Sequence, residues 1–173
     1  MSSETFSEKF AFVGPSIRPA TEKVEKRKDK LIYISMGTVN NDKMPFYKSC
    51  ISALANTDYQ VIMSVGNLVS IEDFGRLPEN ISVYSHVDQI AVLEKADAFV
   101  SHCGMNSVSE SLYFAVPLVM LPQTSEQKGV AERVSQFNAG IKPDNIDGVS
   151  VLHAIHKILG DNTYQENARR IAE

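Results

Sequence analysis

Short apolar runs alternate along this chain with longer stretches in which apolar positions return every three or four residues. Runs such as Leu31–Ser35 and Ala98–Ser101 have the length of buried strands, and the stretches between them are long enough for helices. Such alternation is the signature of βαβ units, a parallel sheet with helices on its faces. The pattern predicts strands at Leu31–Ser35, Gln60–Ser64, Ile81–Tyr84, Ala98–Ser101 and Leu118–Leu121, with a short one near Gly140–Lys142. Helices are predicted at Pro45–Ala55, Gln89–Lys95, Ser107–Phe114, Glu126–Phe137 and Val149–Leu159. In the last of these, Val151, Leu152, Ile155, Ile158 and Leu159 recur at helical spacing, while His153, His156 and Lys157 occupy other faces. The expected fold class is α/β, a Rossmann-like three-layer α/β/α domain with a parallel sheet of about six strands.

The opening thirty residues break this pattern. FAFVGPSIRP reads as an apolar strand ended by Gly14-Pro15, and the almost wholly charged TEKVEKRKDK after it reads as a linker. At the other end TYQENARRIAE has a helical pattern without a Gly or Pro exit signal, and so reads as a helix cut short.

Composition narrows the picture. A chain of 173 residues, 43% apolar and 22% charged, suits one globular domain with a proper core. Its net charge of −4 provides no general field to draw it to nucleic acid or an anionic membrane, so any phosphate must be held locally. The longest apolar stretch, Phe114 to Pro122, falls far short of the roughly 20 residues of a membrane-spanning helix. The polar start MSSETFSEKF has no apolar core of a signal peptide. Cys50 and Cys103 are too few and too far apart for a zinc motif or a disulfide framework, which fits a reduced, cytoplasmic setting.

The most informative stretch is the strand Phe99–Ser101 running through His102-Cys103-Gly104 into a helix. Open parallel sheets bind ligands at this edge. Gly104 lets a phosphate approach the backbone, the free N–H groups of the following helix point at it, and the helix dipole adds about half a positive charge. His102 can donate a ring N–H to the same group. A structural account competes: Asn106 and Ser107 are favoured N-caps, and Ser107-x-x-Glu110 fits a capping box.

The run HCGMNSVSESLYFAVPLVMLPQTSEQ resembles the donor-binding signature of nucleotide-sugar-dependent glycosyltransferases of plants and bacteria, nearest to the bacterial macrolide type. The resemblance extends from FVGPSI to the last helix. It implies the C-terminal half of a GT-B fold, with residues 1–30 as the tail of an N-terminal domain plus the interdomain linker, and 31–173 as the donor-binding domain. Carried over by motif, His102, Gly104, Asn106 and Ser107 would contact the diphosphate, and Glu110 would accept from ribose hydroxyls unless it caps the helix.

Tyr84-Ser85-His86-Val87-Asp88-Gln89 resembles the segment that cradles the base, with His86 in place of a stacking tryptophan. Val87 would pair with the base through its backbone and Gln89 would reach base or ribose. Asp88, where a proline is usual, reads as the N-cap of the next helix. Glu126-Gln127 falls where an acid–amide pair would hold sugar hydroxyls; the competing reading is a helix start capped by Thr124 or Ser125. Ser35-Met36-Gly37-Thr38 resembles the loop that meets the outer phosphate, although a lone glycine after a strand commonly marks only a turn.

The function implied is binding of a nucleoside diphosphate sugar, UDP-linked by resemblance, for an inverting transfer to a small hydroxylated acceptor. No metal or other cofactor is expected. The catalytic base would lie on the N-terminal domain, so this segment alone should be inactive, and its cleft face could self-associate. The alternative is a separate, non-catalytic donor-binding subunit that needs a partner. G-x-G-x-x-G and G-x-x-x-x-G-K-[ST] are both absent, which argues against nicotinamide and P-loop chemistry. Cys103, beside a helix start, is read as a small buried residue without a role.

Overall fold

The computed structural model describes residues 15–37 and 42–172. The strand expected before Gly14-Pro15 and the candidate Thr38 lie outside the described residues. Six strands form one sheet: β1 (Lys30–Ser35), β2 (Tyr59–Ser64), β3 (Ile81–Tyr84), β4 (Ala98–Ser101), β5 (Leu118–Met120) and β6 (Gly140–Ile141). All neighbouring pairs are parallel, in the order β3-β2-β1-β4-β5-β6. This is the doubly wound order, in which the chain turns in opposite directions from β1 and β4 and leaves a crevice beyond their carboxyl ends.

Helices α1 (Met44–Leu54), α2 (Gln89–Leu93), α3 (Met105–Tyr113) and α4 (Ser125–Gln136) lie in crossovers between successive strands, β2 and β3 are joined without an α-helix, and α5 (Gly148–Gly160) and α6 (Thr163–Ala172) follow β6. Period 2 along β1 sorts its side chains between two cores. Ile32 and Ile34 join Phe46, Leu54, Val151 and Ile155 on the α1/α5 side, whereas Leu31 and Tyr33 join Phe99, Leu112, Val134 and Ala168 on the α3/α4/α6 side. Three layers result. Elements differ from expectation by one or two residues at their ends, and the short 3-10 helix Ile71–Phe74 was not anticipated. His153 and His156 are exposed on α5, the latter with its ring edge to Tyr59 at 5.8 Å between centroids.

Residues 16–29 have no regular structure, yet the domain holds them at three points. The Gln60 side chain accepts from the Arg27 amide (2.6 Å) and donates to the Glu25 carbonyl (2.9 Å). The Asp97 carboxylate takes Lys26 (2.7 Å), Lys30 (3.3 Å) and the Leu31 amide (2.8 Å). The third point is Asp88, which belongs to the site.

Candidate donor-binding site

A cleft of about 540 Å³ opens at the carboxyl ends of β1 and β4, where the strand order reverses. Among the described residues it is lined by every candidate named from sequence except Gln127: Ser35 and Gly37 after β1, His86, Val87 and Gln89 after β3, and His102, Gly104, Asn106, Ser107, Glu110 and Glu126 from β4 onward.

The turn after β4 is shaped by backbone constraints. Cys103 is wholly buried and left-handed at φ 65°, a conformation that costs a non-glycine residue about 1 kcal/mol or more. The Ser101 hydroxyl accepts from its amide at 3.2 Å. Burial pushes the Cys103 thiol up to about 12, so it is a packed side chain with no nucleophilic character. His102 then lies between two glycines. A Cβ on Gly37 would come within 2.7 Å of its ring, and one on Gly104 within 2.6 Å of Nε2. Gly37 has the further requirement of φ +83°. Burial lowers the His102 pKa, with the Ser35 backbone opposing, and its Nδ1 is buried without a hydrogen-bond partner.

The capping-box reading of α3 is overturned. The N-cap is Gly104, with no side-chain cap, and the helix starts at Met105 rather than Ser107. The amides of Met105, Asn106 and Ser107 have no hydrogen-bond partner among the described residues. Helices α4 and α5, by contrast, are capped by Thr124 and Asp147. The open helix end that faces the cleft presents orphan donors and the positive end of a dipole to whatever occupies it.

Glu110, released from capping, accepts from Gln89 Nε2 at 2.6 Å, and the same amide reaches Ser107 Oγ at 3.4 Å. Gln89 Oε1 in turn accepts from the Tyr33 hydroxyl at 3.2 Å. Burial raises the Tyr33 pKa, which keeps that phenol a donor. Both N–H donors of Gln89 thus serve Glu110 and Ser107, so Gln89 orients the acid within the cleft. Tyr33 had no sequence signal beyond its place in a strand.

Asp88 occupies the N-cap position of α2 as expected, but its side chain makes no capping bond. Its almost fully buried carboxylate accepts from Arg18 (2.6 Å), the Thr21 amide (2.6 Å) and hydroxyl (2.7 Å), and the Glu22 amide (3.2 Å). The Arg18 guanidinium and these further donors hold its pKa well below the usual carboxylate range. Arg18 also lines the cleft, a role the linker sequence did not suggest. Gln127 completes a capping box with Thr124 and accepts from the Gln123 and Thr124 amides (2.8 and 3.2 Å), as the structural account of that segment had it. Of the acid–amide pair Glu126 alone lines the cleft. Among the described residues no group of three or more His, Cys, Asp and Glu could hold a metal ion, and no helix is long and apolar enough to cross a membrane.

Residues 48–173 match the family described as erythromycin biosynthesis protein CIII-like, C-terminal domain. The chain belongs to this family. Among its relatives, NDP-glycosyltransferase YjiC of Bacillus licheniformis is 39% identical over 168 residues, which cover 91% of this chain and 42% of the relative. The calicheamicin glycosyltransferase CalG4 superposes with a TM-score of 0.86 at 30% identity, covering 98% of this chain and 43% of that one. SsfS6 of Streptomyces sp. SF2575, solved with thymidine diphosphate, has a TM-score of 0.66 at 25% identity, covering 86% of this chain and 37% of that one. The chain therefore spans less than half the length of these proteins. The architecture is that of the C-terminal, Rossmann-like half of GT-B glycosyltransferases.

Proposed function

We propose that this domain binds the nucleoside diphosphate sugar, UDP-linked, of an inverting glycosyltransferase whose acceptor is a small hydroxylated molecule. One observation carries the reading: at the sheet's switch point, an uncapped helix end and a histidine set between two glycines face the same cleft. The diphosphate would sit on His102 and the amides of Met105–Ser107, with its charge met by these donors and no metal ion. The nucleoside would lie along His86–Gln89, its ribose hydroxyls on Glu110, and Glu126 would face the sugar. SsfS6, which is similar in fold and sequence, was solved with a nucleoside diphosphate, which supports this use of the cleft.

In the reaction the sugar's anomeric carbon leaves the diphosphate for the acceptor oxygen. Charge grows on the departing phosphate, and fixed N–H dipoles stabilise it without reorganisation. The residue that deprotonates the acceptor would belong to a second domain closing over the cleft. Met105, 55% exposed on the cleft wall, marks apolar surface for that domain to cover, or for a second copy of this chain if it is left uncovered.

Titration calorimetry with UDP and dTDP, in EDTA and then in excess magnesium, tests the reading. Saturable binding of at least one nucleotide in EDTA, little changed by magnesium, is expected. Absence of binding, or binding only with the metal, contradicts it.

A further inference from the structure

We infer that Arg18 is a nucleotide-contacting residue of the donor cleft, supplied by the irregular segment ahead of β1 and held in place by Asp88. The inference rests on the nucleotide reading above and adds to it a contact from outside the sheet-and-helix frame.

The geometry comes from three observations. Arg18 lines the same cleft as His86, Val87 and Gln89, and Asp88, its partner, lies within that run. This places the guanidinium beside the His86–Gln89 run, the nucleoside end in the reading above. Two of its nitrogens are committed: one to Asp88 at 2.6 Å, the other to the Pro19 carbonyl at 3.0 Å and, at 3.4 Å, to Asp88. Nε has no partner among the described residues, and the side chain is half exposed.

A planar cation anchored along one edge keeps its face and remaining N–H groups for a ligand. Such a group stacks on a base or donates to a pyrimidine carbonyl. The anchor is of unusual quality for an exposed arginine. The Asp88 side chain is only 3% exposed and is held on the Thr21 amide and hydroxyl and on the Glu22 amide as well. The carboxylate therefore fixes the backbone that carries Arg18 as well as the guanidinium itself. Asp88 acts through Arg18 and is a positioning residue.

The test measures Kd for UDP and UMP by calorimetry on the 173-residue chain, with melting temperatures recorded in parallel. Arg18→Met should weaken both ligands by a similar factor of about tenfold, because the contact is with the nucleoside they share. Asp88→Asn should weaken them less, by about three- to fivefold, and the double variant should be no worse than Arg18→Met, since Asp88 works only through Arg18. Lys26→Met, which removes the tie to Asp97 elsewhere in the same segment, should leave both affinities unchanged. Arg18→Lys, which retains charge but loses the fork, should recover part of the loss at unchanged melting temperature.

Unchanged affinities in Arg18→Met, with or without a lower melting temperature, would make Arg18 a strap alone and overturn the inference while leaving the donor reading intact. A loss for UDP without a loss for UMP would place Arg18 at the phosphates and overturn it equally. If the wild-type chain bound neither UDP nor dTDP, both readings would fall together.

Discussion

The two ends of the cleft are built by different means. At the end proposed for the phosphates the structure is shaped chiefly by main chain: a left-handed Cys103, a histidine clamped between Gly37 and Gly104, and three helix amides without partners among the described residues. At the end proposed for the nucleoside it is made of side chains that hold one another: Tyr33 on Gln89, Gln89 on Glu110, and Asp88 on Arg18 and Thr21. At the first end a single added carbon meets an imidazole at under 3 Å, so His102 would have to move. At the second end a single substitution removes one of several separate hydrogen bonds, so its cost should be smaller.

Gly104→Val should reveal the rigidity of the phosphate end most strongly. The branched side chain has to displace His102, and UDP affinity should fall on the order of 100-fold or more, as for loss of several charge-assisted hydrogen bonds. Calorimetry checks this, and far-ultraviolet circular dichroism should show the fold retained. A loss under fivefold would mean that the turn has slack and would erase the contrast.

Glu110→Ala, at the side-chain end, should cost about tenfold in UDP affinity, the worth of hydrogen bonds to a carboxylate. It should also narrow the gap between UDP and dUDP, because the proposed function sets the ribose hydroxyls on this acid. An unchanged gap would assign Glu110 to structure.

The smallest effect concerns helix ends. Thr124→Ala should destabilise the domain by about 1 kcal/mol through loss of a real cap. Ser107→Ala should shift it by only a few tenths, because α3 has no side-chain cap. Thermal unfolding of the two variants measures the difference, and equal losses would restore the capping-box reading of Ser107.

The same division explains what could be read from the sequence. Strand and helix positions follow from local periodicity, and the turn at 102–104 announces itself within a few residues by a glycine between a buried strand and a helix. The turn after β4 was legible for this reason. Ser107-x-x-Glu110 misled because a capping box is defined by spacing alone, while here the helix starts two residues earlier, with Gly104 as N-cap, and Glu110 accepts from Gln89, 21 residues away. Asp88 misled in the same manner: a favoured cap residue directly before a helix has its carboxylate committed to Arg18 and Thr21, 70 and 67 positions earlier. The charged segment 21–30 looks like a free linker, and only the folded sheet edge brings Gln60 and Asp97 to it. Side-chain pairings across such separations leave no periodic trace in the chain.

A crystal structure of the chain grown with UDP tests the central claim most directly. The diphosphate should lie within hydrogen-bond distance of the His102 ring and the amides of Met105, Asn106 and Ser107, with the uracil along His86–Gln89. A nucleotide bound elsewhere, or diphosphate oxygens held only by side chains or a metal ion while those amides face solvent, would contradict it.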